Sequence, residues 1–222
     1  MAALSSKFKF SGESLKRVLS RLVTEGRLQR VGYGLYKASD NRLPRYSYEP
    51  SAEEIDLYQR LKRTFPFTGI CIWRPEVLVP LMQHVPIATA TFIDVERVAM
   101  DSVFSALQSM DSERPILINP SKTEVDRIIP SSAPIIVRPL VQEAPTEKIN
   151  GIIVPTIEKI LVDAVSDKEL QFAQGAELFT IYENAFEKFD INKSRLLRYA
   201  SRRNRKPKVE TILKSNDYDT SR

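Results

Sequence analysis

Cysteine and histidine are almost missing from this chain: Cys71 and His84 are the only residues of their kinds among 222. One thiol excludes an internal disulfide framework and a zinc knuckle. One imidazole leaves no basis for a histidine-rich metal site or a serine–histidine hydrolase. His84 reads instead as a cation closing a helix. Long apolar runs are missing too, with nothing near the ~20 residues that a membrane span requires. The N-terminus lacks the charged-then-apolar pattern of a secretory leader. A reducing cytoplasm is the expected compartment, with no membrane partner. Glycine is scarce, at seven residues. Gly32-Tyr33-Gly34 does not precede a helix, and nothing resembles a GxxxxGK[ST] phosphate loop. No Gly-Ser pair of the kind that a nucleotidyltransferase sets ahead of its carboxylates occurs. No catalytic constellation, cofactor or metal is therefore expected.

What is present is the balance of a folded protein, 42% hydrophobic and 27% charged, at a length that suits one medium domain plus a small one. The net charge of +5 is unevenly spread. Residues 1–40 hold eight basic and three acidic side chains, residues 41–189 fifteen and twenty-one, and residues 190–222 ten and four. Basic ends around an acidic middle point to a polyanionic partner, or to ends that are merely solvated.

The N-terminal block has the clearest pattern. Leu15, Val18, Leu19, Leu22 and Val23 recur at helical spacing and form one stripe, with Arg17, Ser20, Arg21 and Thr24 opposite. Ser11 suits an N-cap and Gly26 a left-handed C-cap. Leu28 to Lys37 then reads as a hairpin turning at Gly32-Tyr33-Gly34. A basic helix followed by a two-stranded wing is the back half of a winged helix-turn-helix. Residues 1–10 are too few for the two helices that usually precede it. The unit is therefore expected to be partial, its stripe covered by the following domain, by a second copy, or poorly.

Residues 41–50, with two prolines, read as an interdomain linker. Ser51-Ala-Glu-Glu54 is a capping box opening a helix with Ile55, Tyr58 and Leu61 buried. Strand-like runs follow at 67–73, 88–95, 115–119, 135–140 and 152–154. Helices between them are expected at 75–83, 98–110 and 122–129. This alternation predicts an α/β (α+β) domain over 51–214 with a largely parallel or mixed sheet. Helices at 155–165, 176–189 and 192–203 end it, and 215–222 should fray.

Candidate sites follow from charge and placement. Arg17, central on the exposed helix face, suits a base edge, with Ser20 and Arg21 beside it; Lys16 suits a phosphate. Arg30, Tyr33 and Lys37 on the wing suit backbone or minor-groove contacts. Near the C-terminus, Arg195, Arg198, Arg202, Arg203, Arg205 and Lys206 could hold phosphate, RNA or an acidic protein face, or form a solvated helix end. Asp94 and Glu96, two apart on a strand, could bind Mg²⁺ as in a nuclease, but no lysine follows Glu96 at the needed spacing. Buried Cys71 and Trp73 read as core.

Two motifs carry a resemblance. Glu25-Gly-Arg-Leu-Gln-Arg-Val-Gly-Tyr-Gly-Leu-Tyr36 is similar to the wing signature of the AbiEi-type antitoxins of type IV toxin–antitoxin systems. Val154-Pro-Thr-Ile-Glu-Lys-Ile-Leu-Val-Asp163 resembles the helix that marks their second domain. The resemblance implies a bacterial repressor that binds double-stranded DNA at inverted repeats in its own promoter and counters a nucleotidyltransferase-like toxin. It carries the helix and wing residues over as DNA contacts, and the helix at Glu158–Asp163 as a domain signature only. The alternatives are a Mg²⁺-dependent nuclease using Asp94 and Glu96, and a module that binds the toxin without DNA. Oligomeric state is not set by the sequence.

Overall fold

A computed structural model of the protein describes residues 12–24, 28–38, 43–85, 90–110 and 113–215. Ser11, Gly26 and residues 216–222 of the tail expected at 215–222 lie outside them, while Ser215 is the last residue of a helix. The architecture is mixed α/β, as the alternation of apolar runs predicts. No helix among the described residues is long and apolar enough to cross a membrane.

Helix α1 spans Gly12–Thr24, and the hairpin after it pairs β1 (Leu28–Gly32) antiparallel with β2 (Leu35–Ala38). Gly34 turns this hairpin at φ 69°, a left-handed conformation that favours glycine. The predicted stripe is only partly covered. Leu15 and Leu19 are buried, Leu22 and Val23 half-buried, and Val18 stays exposed.

Residues 43–50 are docked rather than loose. Tyr48 is buried, the Tyr46 ring meets Phe189 edge-on at 5.2 Å, and Pro44 O accepts from Asp190 N at 3.0 Å. Helix α2 (Ala52–Thr64) opens with the predicted capping box: Glu54 N donates to Ser51 Oγ at 3.2 Å and Ser51 N to Glu54 Oε2 at 2.8 Å. Glu54 has a further duty. The Tyr48 hydroxyl donates to its other carboxylate oxygen and accepts from Arg74 N at 2.9 Å. Tyr48→Phe strands both groups, and should cost about 1–3 kcal/mol in urea denaturation. An unchanged midpoint would remove this role.

The main sheet has four strands, with β3 (Ile70–Trp73) at one edge and antiparallel to β4 (Thr91–Val95). β6 (Ile135–Pro139) lies between β4 and β5 (Ile116–Ile118) and runs parallel to both. Helices α3 (Met100–Met110) and α4 (Lys122–Ser132) make the two crossovers. The stretch expected as a helix at 75–83 is instead a 3-10 segment, Pro75–Leu81, with Pro80 inside it. Proline has no N–H to give to a regular α-helical ladder. The apolar run at 152–154 is not a fifth strand of that sheet. It belongs to β8 (Ile152–Pro155), which pairs with β7 (Thr146–Ile149) in a separate hairpin. Asn150 (φ 49°) and Gly151 (φ 85°) turn it, as a type I′ pair does.

Helix α5 (Ile157–Ala164) is buried at all eight positions. After a 3-10 segment at Lys168–Ala173 come α6 (Ala176–Lys188), α7 (Lys193–Arg202) and α8 (Lys206–Ser215). The last adds Val209, Ile212 and Leu213 to the core.

Candidate functional site

Strand alternation places Phe92 and Asp94 on one face of β4. Asp94 is in register with Cys71 on β3 and with Arg138 on β6. Each of these strands is an apolar run, and Asp94 and Arg138 are charges inside such runs. A charge that the chain buries must be paired. Asp94 and Arg138 are both buried, and so are Lys159 and Asp163 from α5 and Asp167 beyond it.

The pairing is complete around Asp94. Arg138 places Nε at 2.8 Å and Nη2 at 2.7 Å from Oδ1. Oδ2 accepts from Lys159 Nζ at 2.6 Å and from Trp73 Nε1 at 2.9 Å. Lys159 Nζ also donates to Asp163 Oδ2 at 2.6 Å, an i,i+4 pair within α5. Asp163 Oδ1 accepts from Tyr199 Oη at 3.0 Å and from Arg203 Nη1 at 3.3 Å. Arg203 reaches Asp167 with its other Nη, and Arg138 Nη1 lies 3.3 Å from Asp167 Oδ2. The Arg138 guanidinium also sits over the Phe92 ring, 4.1 Å from its centroid. Three aspartates and three cations thus form one connected cluster.

The environment splits the carboxylates. Burial raises the Asp94 pKa, but Arg138 and Lys159 outweigh it and hold the group down at about 2. Asp167 goes the other way: burial and the neighbouring Asp163 raise it to about 7 against Arg138 and Arg203. Burial pushes the Cys71 thiol up, so it is a core thiol and not a nucleophile.

Above this cluster a cleft of about 230 Å³ opens, with Pro139 at the end of β6 and Asn119 just after β5 in its wall. It therefore lies at the carboxyl ends of the parallel strands, where open α/β sheets place ligands. Arg203, Arg205, Ser166, Lys168 and Glu169 complete its mouth.

The sequence candidates divide. Lys16, Arg17, Ser20 and Arg21 are exposed on α1, and Arg30, Tyr33 and Lys37 are exposed on the hairpin. Tyr33, at the turn, is 95% exposed. The C-terminal cations do not act as one patch. Arg198, Arg202 and Lys206 are exposed, with Arg202 Nη2 2.7 Å from Glu143 and Lys206 Nζ 3.7 Å from Glu210. Arg195 lies 3.6 Å from the buried Glu158, Arg203 turns in to the aspartates, and Arg205 lines the cleft. The pairing of Asp94 with Glu96 on one strand face is also corrected: β4 ends at Val95. Glu96 accepts from Gly69 N at 3.1 Å, while both Asp94 oxygens are held by cations. A metal ion there would have to displace a lysine and an arginine, so the nuclease alternative loses its ligand pair.

The motif around Glu158 gains a physical role that sequence reasoning missed. Thr156 Oγ1 donates to Glu158, whose other oxygen accepts from Asn192 N at 3.1 Å at the start of α7. Lys159 and Asp163 sit in the ion cluster. One turn of α5 thus ties the sheet to the C-terminal helices. Charges at i and i+4 inside an apolar helix were the available signal.

No curated protein matches the chain. A family match runs over residues 14–219, through both the helix–hairpin unit and the α/β unit, and the chain belongs to that family, a family of unknown function (DUF6577).

Proposed function

We propose that this protein is a DNA-binding transcriptional repressor and the antitoxin of a bacterial type IV toxin–antitoxin system, acting in the cytoplasm. The observation that carries the reading is the surface of α1 and its hairpin. Leu15 and Leu19 are buried while Lys16, Arg17, Ser20 and Arg21 are exposed, and Tyr33 projects from the hairpin turn. A helix with this face fits the major groove, and a hairpin beside it reaches the backbone or minor groove. The antitoxin part rests on the resemblance of the segments 25–36 and 154–163 to AbiEi-type proteins. The partners on this reading are promoter DNA with inverted repeats and a nucleotidyltransferase-like toxin encoded beside it.

Two variants separate base from phosphate contacts. Arg17→Ala should cost about 1–3 kcal/mol on the upstream duplex and narrow its margin over a scrambled duplex. Lys16→Ala should weaken both duplexes alike and lower the salt slope by about 1. Fluorescence anisotropy measures both. Binding by both variants equal to that of the unaltered protein would show that α1 does not carry the contact. Co-purification with the neighbouring toxin tests the second half, and its absence with purified partners would remove the antitoxin role by contact.

A further inference from the structure

Five cations line the cleft at the carboxyl ends of β4 and β6, and they are not equivalent. Arg138, Lys159 and Arg203 are paired with the aspartates beneath. Lys168 and Arg205 are not. Among the described residues the Lys168 ammonium bonds the neutral Asn119, at 3.2 Å from Oδ1 and 3.5 Å from the carbonyl oxygen. Arg205 gives Nη1 to its neighbour Asn204 O at 3.3 Å, and its Nε is buried with no hydrogen-bond partner. Among the described residues neither side chain forms an ion pair, although the Lys168 charge is felt at the exposed Glu124 carboxylate.

The positions of the two cations are built by the fold. Asn119 leaves β5 with φ 41° and its N–H bonded to Val137 O at 2.9 Å, which sets the oxygens that hold the Lys168 ammonium. Arg205 starts the turn into α8, its own N–H bonded to Ala200 O at 2.7 Å. Ser166, a residue with a hydroxyl, also lines the cleft. Opposed to these is Glu169, a buried carboxylate that also lines the cleft. Two cations without an ion pair and a hydroxyl suit a phosphate group. A single carboxylate suits a hydroxyl donor on the same molecule. A cleft of about 230 Å³ admits a small molecule and is far too narrow for a duplex.

We propose that this cleft binds a small phosphate ester bearing hydroxyl groups, its phosphate held by Lys168, Arg205 and Ser166 and a hydroxyl by Glu169. The site is separate from the α1–hairpin surface and would give the regulator a small-molecule effector. Arg138 and Lys159 line the floor but are committed to Asp94, so they set the local potential without releasing their partners.

Isothermal titration of the full chain with inorganic phosphate, glycerol phosphate and glycerol tests the site. Glycerol phosphate should bind, inorganic phosphate more weakly, and glycerol not at all. Lys168→Ala and Arg205→Ala should each weaken glycerol phosphate about tenfold or more, since a hydrogen bond to a charged group is at stake. Both replace side chains without ion pairs, and circular dichroism will show that the variants fold. Glu169→Gln should strengthen inorganic phosphate by removing a repulsion, a change that a merely structural role would not produce. Glycerol phosphate failing to bind at millimolar concentration would overturn the proposal. So would binding indifferent to Lys168 and Arg205, or variants that weaken duplex DNA as much as glycerol phosphate. The DNA-binding reading is measured without this ligand, so either can fail alone.

Discussion

Lys159→Met should destabilise the protein by about 3–5 kcal/mol, because it breaks a buried ion pair from one side. The lysine is 2% exposed, and its ammonium holds Asp94 and Asp163 at 2.6 Å each. Methionine fills a similar volume but leaves two carboxylates facing each other in a medium where water cannot screen them. Arg138 already serves Asp94 and lies 3.7 Å from Asp163, so it cannot replace both bonds. Burial decides the size of this effect, not distance. Arg202 and Glu143 are in contact at 2.7 Å, yet both are exposed by about half. Arg202→Ala should therefore cost only about 0–1 kcal/mol. Urea denaturation of the two variants side by side checks the contrast. Equal losses would contradict the assignment of Lys159 to a buried cluster.

Between about pH 4 and pH 7 the stability should fall as pH rises, and Asp167 should be the cause. Burial and Asp163 raise its folded pKa from the ordinary 3.8 to about 7, against Arg138 on β6 and Arg203 just after α7, with Glu169 adding to the rise. In that window the folded protein holds a proton that the unfolded chain has released, so the slope of stability against pH is negative. The contribution is fully present below 3.8 and is lost as pH rises through about 7. Each factor of ten in proton affinity is worth about 1.4 kcal/mol, so up to about 4 kcal/mol is involved. Asp94 acts in a different range. Held at about 2, it contributes stability above 3.8 that disappears as pH falls through about 2. The two windows do not overlap. Asp167→Asn should flatten the fall between pH 4 and 7 while leaving the acid limb in place. A variant whose slope matches that of the unaltered protein would contradict the assignment.

Much of the architecture could be read from periodicity. The stripe of α1, the capping box at Ser51 and Glu54 and the apolar strands at 70–73, 91–95 and 135–139 stand where the spacing predicts. Local chemistry marks two further elements. Asn150-Gly151 signals the β7–β8 hairpin, and Val209, Ile212 and Leu213 have the spacing of the buried face of α8. The ion cluster is a different matter. Its members stand at 94, 138, 159, 163, 167, 199 and 203, and only the fold brings them together. One local sign existed. Asp94 and Arg138 each interrupt an apolar strand, and a charge in such a place needs a buried partner. Arg203 and Arg205 could not be told from their neighbours by charge alone. Their difference from Arg198 lies in which way α7 and the turn after it face.

The cleft, the cluster and the docked segment 43–50 explain how the α/β unit is held, but the proposed activity rests on α1 and its hairpin. Its most direct test is the affinity of the full chain for the duplex upstream of its own gene, measured against salt. Log affinity should fall linearly with log salt between about 50 and about 200 mM, as phosphate-bound cations release counterions. The upstream duplex should also be preferred to a scrambled one at every point. No binding to either duplex at the lowest salt would contradict the account.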